Sequence, residues 1–258
     1  MESVFTAGVL ERIAASDVLV AFDFDGTLAP IVADPALAAM RAPTRRLLAQ
    51  VARLYPCAVI SGRPEEEVLR LLGGVTVWYV IGNRALQPPD EVERLSTMVS
   101  EWREVLFRSL GGLSGVSLED KGVSLAIHYR RAAEQDSAVA AIREAARGLE
   151  NARLIAGKDV INLLPRGGPD KGVALARVKA QLGCTAALYV GDDATDEAAF
   201  ALPQMLGVRV SPAADSAASY CLRDQDEVDD LLDRLVSLRP RREHRQEAMW
   251  RPATRALS

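Results

Sequence analysis

Val18-Leu-Val-Ala-Phe-Asp23-Phe-Asp25-Gly-Thr-Leu28 is the stretch on which the fold turns. Val18 to Phe22 is a short unbroken apolar run, the pattern of a strand buried on both faces of a parallel sheet. It leads straight into two aspartates one residue apart, Asp23 and Asp25. Gly26 then permits a sharp turn, and Thr27 adds a hydroxyl beside the acids. If the strand's pleat persists, the two aspartates point the same way and crowd negative charge at its carboxyl end. A cation or a shared proton must relieve that repulsion. Hard oxygen ligands at this spacing suit Mg²⁺, which would also neutralise an arriving phosphate. The plain alternative is a polar exit from strand to loop.

Outward from this stretch the chain alternates helix and strand signals. Leu47, Leu48, Val51 and Leu54 recur at helical spacing within 43–54, and Ala58-Val59-Ile60 reads as the next strand. Pro64 followed by Glu65, Glu66 and Glu67 is a helix start. Strands are expected at 77–81, 186–190 and near 208–210, with helices after Asp170, from about 194, and over Val228, Leu231, Leu232 and Leu235. The alternation predicts an α/β fold: a doubly wound, mainly parallel, Rossmann-like sheet with helices on both faces.

Residues 87–165 break the rhythm after Pro88-Pro89. Val92, Leu95, Val99, Trp102, Leu106 and Leu110 mark a long amphipathic helix. Two strand-like segments, 116–121 and 123–130, are followed by a helix carrying Val139, Ile142 and Leu149. Segments 153–156 and 160–164 then flank Gly157-Lys158-Asp159, a hairpin turn signal. The expected organisation is a core built from 1–86 and 166–238, an inserted small α/β domain over 87–165, and a basic tail at 239–258. That tail holds six arginines against two glutamates and reads as a solvated, partly disordered terminus.

With 258 residues, 49% hydrophobic and 26% charged, the chain has ample material for a packed core. A net charge of −4 argues against a general nucleic-acid binder. Cys57, Cys184 and Cys221 are widely spaced and odd in number, as for free thiols in a reducing compartment. Only two histidines are present and no Cys/His cluster, so zinc is not expected. No apolar run reaches the roughly 20 residues of a membrane span, and no signal pattern opens the chain. The expectation is a cytoplasmic protein without nucleic-acid or membrane partners.

Asp23-Phe-Asp-Gly-Thr-Leu28 resembles the first motif of the haloacid-dehalogenase-like (HAD) phosphohydrolases. Three further pieces follow in that family's order: Ser61-Gly62-Arg63 after the second strand, Lys171-Gly172 opening a helix, and Gly191-Asp192-Asp193-Ala-Thr-Asp196-Glu197 after strand 186–190. Ligands of open parallel sheets bind beyond the strands' carboxyl ends, so one cleft can collect these motifs. The resemblance implies Asp23 as nucleophile, forming an aspartyl phosphate, and Asp25 as general acid and base. It also implies Mg²⁺ held by Asp23, the Asp25 carbonyl and Asp192, with Asp196 behind them or acting through water. Thr27, Ser61, Gly62 and Lys171 would bind the phosphate. Taken singly, Ser61 is equally a cap residue and the acids at 192–196 are equally helix-start acids.

Gly191 to Phe200 and Glu119-Asp-Lys-Gly-Val-Ser-Leu-Ala-Ile-His-Tyr-Arg130 are similar to the trehalose-6-phosphate phosphatases, the resemblance covering about residues 15–237. Along 123–130, Val123, Leu125, Ile127 and Tyr129 share one face, while Ser124, Ala126, His128 and Arg130 share the other. The polar face is free to close over a cleft. Glu119, Lys121, His128 and Arg130 then offer donors and acceptors to a sugar, and the resemblance adds Arg63 and Glu197 from the core. Two departures bear on the sugar. The family's Gly-x-His-Gly is Gly82-Asn83-Arg84-Ala85 here, and Asn162 stands where the family has a glutamate. The resemblance therefore implies a phosphatase for trehalose 6-phosphate or for a related sugar or aminocyclitol pseudo-disaccharide phosphate. A silent sugar-phosphate sensor is the reading from another class. A glycosyltransferase is the partner the resemblance suggests, for a monomer or small homo-oligomer.

Overall fold

In the computed structural model the described residues are 1–6, 8–32, 34–83, 89–157, 159–166 and 170–239. Seven strands form one parallel sheet: β1 (Glu2–Ser3), β2 (Val18–Phe22), β3 (Cys57–Ile60), β4 (Tyr79–Ile81), β9 (Ala186–Gly191), β10 (Met205–Val210) and β11 (Tyr220–Leu222). Their spatial order is β1-β11-β10-β9-β2-β3-β4, with every pairing parallel. β2 and β9 sit side by side at the centre, which explains why the Val18–Phe22 run is buried at every position.

Side chains leave the two faces alternately. Val18, Val20 and Phe22 join Val59, Leu188 and Val190 in one core cluster. The helices α1 (Val9–Ala15), α2 (Ala42–Leu54) and α8 (Glu227–Leu238) cover that face. Leu19, Ala21, Ala58, Ile60, Ala187 and Tyr189 pack on the other face against α6 (Lys171–Gln181) and α7 (Glu197–Phe200). Helix α3 (Glu65–Leu71) begins immediately after Pro64, as the sequence leads one to expect, and buries Val68.

Between β4 and α6 lies a second sheet with order β5-β6-β8-β7, antiparallel throughout. Its strands are β5 (Ser117–Asp120), β6 (Leu125–His128), β7 (Ala152–Gly157) and β8 (Val160–Pro165). Helices α4 (Pro89–Leu110) and α5 (Gln135–Ala146) pack on one face. Val99, Trp102, Leu106 and Ile142 meet Leu125, Ile127, Ile161 and Leu163 there in a separate core.

The structure departs from the sequence expectations in several places. β4 starts at Tyr79 rather than 77, and β5 and β6 are shorter than their apolar patterns. The helix expected from about 194 is a single 3₁₀ turn, Ala194–Asp196, followed by the four residues of α7. The pairing β1–β11 and helix α1 carry no strong periodic signal and were not anticipated. The departure at Arg84 and the tail from 240 onward lie outside the described residues. Among the described residues, no helix is long and apolar enough to cross a membrane.

Candidate active site

A cleft of about 1150 Å³ opens at the carboxyl ends of β2, β3, β4, β9 and β10, roofed by the antiparallel sheet. Asp23 follows β2 directly and keeps the ladder for one more residue, its N–H donating to the Val190 carbonyl at 2.8 Å. It lies on the α6 side of the sheet, where Lys171 is the first residue of that helix. Asp170 caps α6 by accepting from the Val173 N–H at 3.0 Å, and this fixes where Lys171 starts. Gly172 allows the approach: a Cβ there would lie 2.5 Å from the Ala198 carbonyl oxygen.

The Lys171 ammonium sits 2.9 Å from Asp23 Oδ2 and 2.7 Å from Asp196 Oδ1. Asp196 is fully buried and also accepts from the Tyr189 hydroxyl at 2.6 Å and the Asp193 N–H at 2.9 Å. Asp23, Asp192 and Asp196 each bring a carboxylate oxygen within 4.8 Å of the others. Three carboxylates thus face one ammonium. Burial, helped by Asp196 and Asp192, outweighs Lys171 and pushes the Asp23 carboxyl well above its ordinary range. Burial and Asp196 likewise push Asp192 up to about 7. Burial alone would discharge Lys171, but Asp196 and Asp23 more than offset it and hold the ammonium protonated. A surplus of buried, hard oxygen donors fits a hard divalent cation.

Asp25 does not join this cluster. The pleat ends at Phe22, and Gly26 takes φ 75, the left-handed conformation the turn requires. Asp25 instead receives a two-pronged clamp from Arg63, Nε to Oδ2 at 2.6 Å and an η nitrogen to Oδ1 at 2.8 Å. Arg63 also pairs with Glu67 and donates to the Pro35 carbonyl. The sequence expectation of two parallel carboxylates is corrected here: the turn sends them to different cations. Gly26 serves a further need, since a Cβ there would stand 2.0 Å from Asp192 Oδ2.

Ser61 and Gly62 line the cleft after β3, and the Ser61 hydroxyl accepts the Arg63 N–H at 3.2 Å. From the roof come Glu119, Lys121, His128, Arg130 and Asn162. Glu119, Ala126 and Asn162 are cross-strand neighbours in one row, and Ser117, His128 and Val160 form the next. Glu119 accepts from His128 Nε2 at 2.7 Å, and that bond, with Lys121 4.0 Å away, holds its carboxyl below the usual range. Arg130 pairs with Asp159 at 3.1 Å. Asn83, after β4, donates to the Lys121 carbonyl at 2.7 Å and to the Ser124 hydroxyl at 3.0 Å, tying floor to roof.

Three of the anticipated residues do not line the cleft: Asp196, buried behind Lys171, and Thr27 and Glu197. Thr27 is fully buried and its hydroxyl finds no partner among the described residues. Glu197 turns away, with one oxygen on Arg209 at 2.7 Å and the other accepting the Ala217 N–H at 2.7 Å. Arg209, on β10, lines the cleft instead and also donates to the Asp193 carbonyl at 3.3 Å. Sequence reading missed it because an isolated arginine in a strand carries no motif. Its one signal is a place at the carboxyl end of a predicted strand.

The family model for trehalose-phosphatase matches residues 21–224. The chain belongs to the trehalose-phosphatase family. It is 29% identical over 261 residues to a trehalose 6-phosphate phosphatase of Zea mays, covering 89% of this chain and 72% of that protein. With a trehalose-phosphate phosphatase of Mycobacterium marinum the identity is 34% over 237 residues, covering 84% and 60%. The C-terminal domain of the Candida albicans trehalose-6-phosphate phosphatase superposes with a TM-score of 0.71 at 22% identity, covering 92% of this chain and 98% of that one. A Synechocystis sucrose-phosphatase superposes at 0.56 and 17% identity, covering 86% and 98%. These likenesses establish the HAD-like fold, and family membership makes the chain a phosphatase.

Proposed function

We propose that the protein hydrolyses trehalose 6-phosphate to trehalose and phosphate through an aspartyl phosphate on Asp23. The observation that carries this reading is the buried Asp23 carboxylate at the cleft floor, held by Lys171 and flanked by Asp192 and Asp196. In the first step a carboxylate oxygen of Asp23 attacks phosphorus, and the bond from phosphorus to the sugar oxygen breaks. Asp25 gives that oxygen its proton. In the second step water attacks phosphorus, Asp25 takes the water's proton, and Asp23 is released as carboxylate. The Arg63 clamp fixes where Asp25 stands between the steps.

Ser61, the loop amides at Gly62 and the Lys171 ammonium suit the non-bridging phosphate oxygens. Mg²⁺ would be held by Asp23, Asp192 and the Asp25 carbonyl, and when bound it supplies positive charge against the phosphoryl group. Asp196, already committed to Lys171, Tyr189 and the Asp193 amide, orients this set from behind. The sheet within 87–165 acts as a cap that excludes water and reads the sugar with Glu119, Lys121, His128, Arg130 and Asn162.

Asn162 supports a second reading, in which the leaving group is a related sugar or aminocyclitol. It occupies the cleft-facing row beside Glu119 and offers an amide where the family presents a carboxylate. Phosphate release with Mg²⁺ from trehalose 6-phosphate, sucrose 6-phosphate, glucose 6-phosphate and p-nitrophenyl phosphate decides between them. Strong preference for the first confirms the proposal. Turnover of the generic ester alone keeps the chemistry and transfers the substrate to the second reading.

A further inference from the structure

A second cavity, of about 770 Å³, lies between one face of α2 and the Gly73–Trp78 segment that leads into β4. It shares no lining residue with the catalytic cleft. On the helix side, Arg45, Ala49 and Arg53 recur at four-residue spacing and Arg46 stands three residues before Ala49, so the four share one broad stripe. Among the described residues none of the three arginines has an ion-pair partner, and no carboxylate lines the cavity. Trp78 adds an aromatic surface to the same space. Gly74 has open space where a side chain would stand, so that part of the rim is unobstructed.

Three guanidinium groups around an acid-free cavity are unexpected in a chain whose net charge is −4. Mutual repulsion and the lack of any counter-charge leave the cavity electropositive, a field that concentrates anions. Guanidinium forks match phosphate oxygens in pairs, and an indole face takes a planar ring. A single orthophosphate would use only the charged side. The volume falls in the range of about 300–1000 Å³ typical of small-molecule and cofactor sites.

We infer that the groove between α2 and the Gly73–Trp78 segment is a second ligand site, one that takes a nucleoside polyphosphate. The phosphates lie against Arg45, Arg46 and Arg53, and the base lies against Trp78. This inference does not depend on the identity of the phosphatase substrate.

Calorimetric titration of the full chain with ADP, pyrophosphate and adenosine, each separately, tests it. ADP should bind one to one, with pyrophosphate and adenosine each weaker by about tenfold or more, because each lacks one half of the recognition. The double replacement Arg45→Gln/Arg53→Gln should weaken ADP by about tenfold or more and leave phosphate release unchanged. Both positions are exposed, so its thermal midpoint should match that of the parent chain. Trp78→Leu should weaken ADP while leaving pyrophosphate binding as it was. Absence of saturable ADP binding overturns the inference. So does pyrophosphate binding as tight as ADP, or ADP binding that survives the arginine double replacement and therefore resides in the catalytic cleft.

Discussion

Replacing Lys171 with methionine keeps the length of the side chain and removes the ammonium that pairs with both Asp23 and Asp196. The side chain is 11% exposed, and its ammonium lies 2.9 Å and 2.7 Å from two carboxylates. Breaking a buried pair of this kind costs about 3–5 kcal/mol, because the partner charges stay buried and uncompensated. For a chain of this size 1 kcal/mol moves the thermal midpoint by about 2–4 °C, so metal-free Lys171→Met should melt about 10 °C below the parent. Asp196→Asn in the same background removes one of the stranded charges. The double variant should therefore cost about 1–3 kcal/mol less than the sum of the two singles. Thermal melts of the four proteins with a chelator present measure the cycle. Adding Mg²⁺ should then recover more stability in Lys171→Met than in the parent, by mass action on a site with greater negative charge. A midpoint within about 2 °C of the parent, or strictly additive singles, would refute the view that Lys171 is the charge keystone of the cluster.

Gly26→Ala forces a Cβ onto the Asp192 carboxylate at 2.0 Å and places alanine at φ 75. It should cost about 1–2 kcal/mol in melting experiments, and the Mg²⁺ needed for half-maximal phosphate release should rise about tenfold or more. Asn83→Ala removes both hydrogen bonds from floor to roof. KM should rise about threefold to tenfold in steady-state kinetics, with a smaller change in kcat. The Cys57 thiol is pushed from an ordinary 9.0 up to about 12 by burial, so the native state keeps its proton where the unfolded chain loses it. Stability from urea melts should therefore decline from about pH 9 upward, by up to about 1.4 kcal/mol per unit from this group, and Cys57→Ala should decline less steeply.

The parallel sheet and the site floor were legible because they rest on local patterns that tertiary contacts do not override. Val18–Phe22 is apolar at every position, and that pattern suits only the centre of the sheet where it lies. Each motif follows a strand or opens a helix, so strand direction alone brings Asp23, Ser61 and Asp192 to one edge, and Lys171 arrives at the start of α6. The alternation of 123–130 correctly separates Leu125 and Ile127, in the core, from His128, in the cleft.

Failures came where orientation depends on a turn or a distant partner. The Asp-x-Asp pair was expected to point one way, but pleat geometry ends at Phe22 and Arg63 captures Asp25 from 38 residues away. Glu197 follows the motif yet faces Arg209 and the Ala217 amide, contacts that no spacing announces. Thr27 has the right chemistry for phosphate, but its hydroxyl points into the interior. β1 and β11 are two and three residues long, too short to impose a period.

Phosphate release from trehalose 6-phosphate in the presence of Mg²⁺, measured for the parent chain and for Asp23→Asn, tests the central claim most directly. The amide retains the shape and the hydrogen bond from Lys171 but cannot attack phosphorus. Turnover should fall by about 10³-fold or more while the variant still binds the sugar phosphate. Asp23→Asn turning over at the parent rate would contradict a mechanism that passes through this carboxylate.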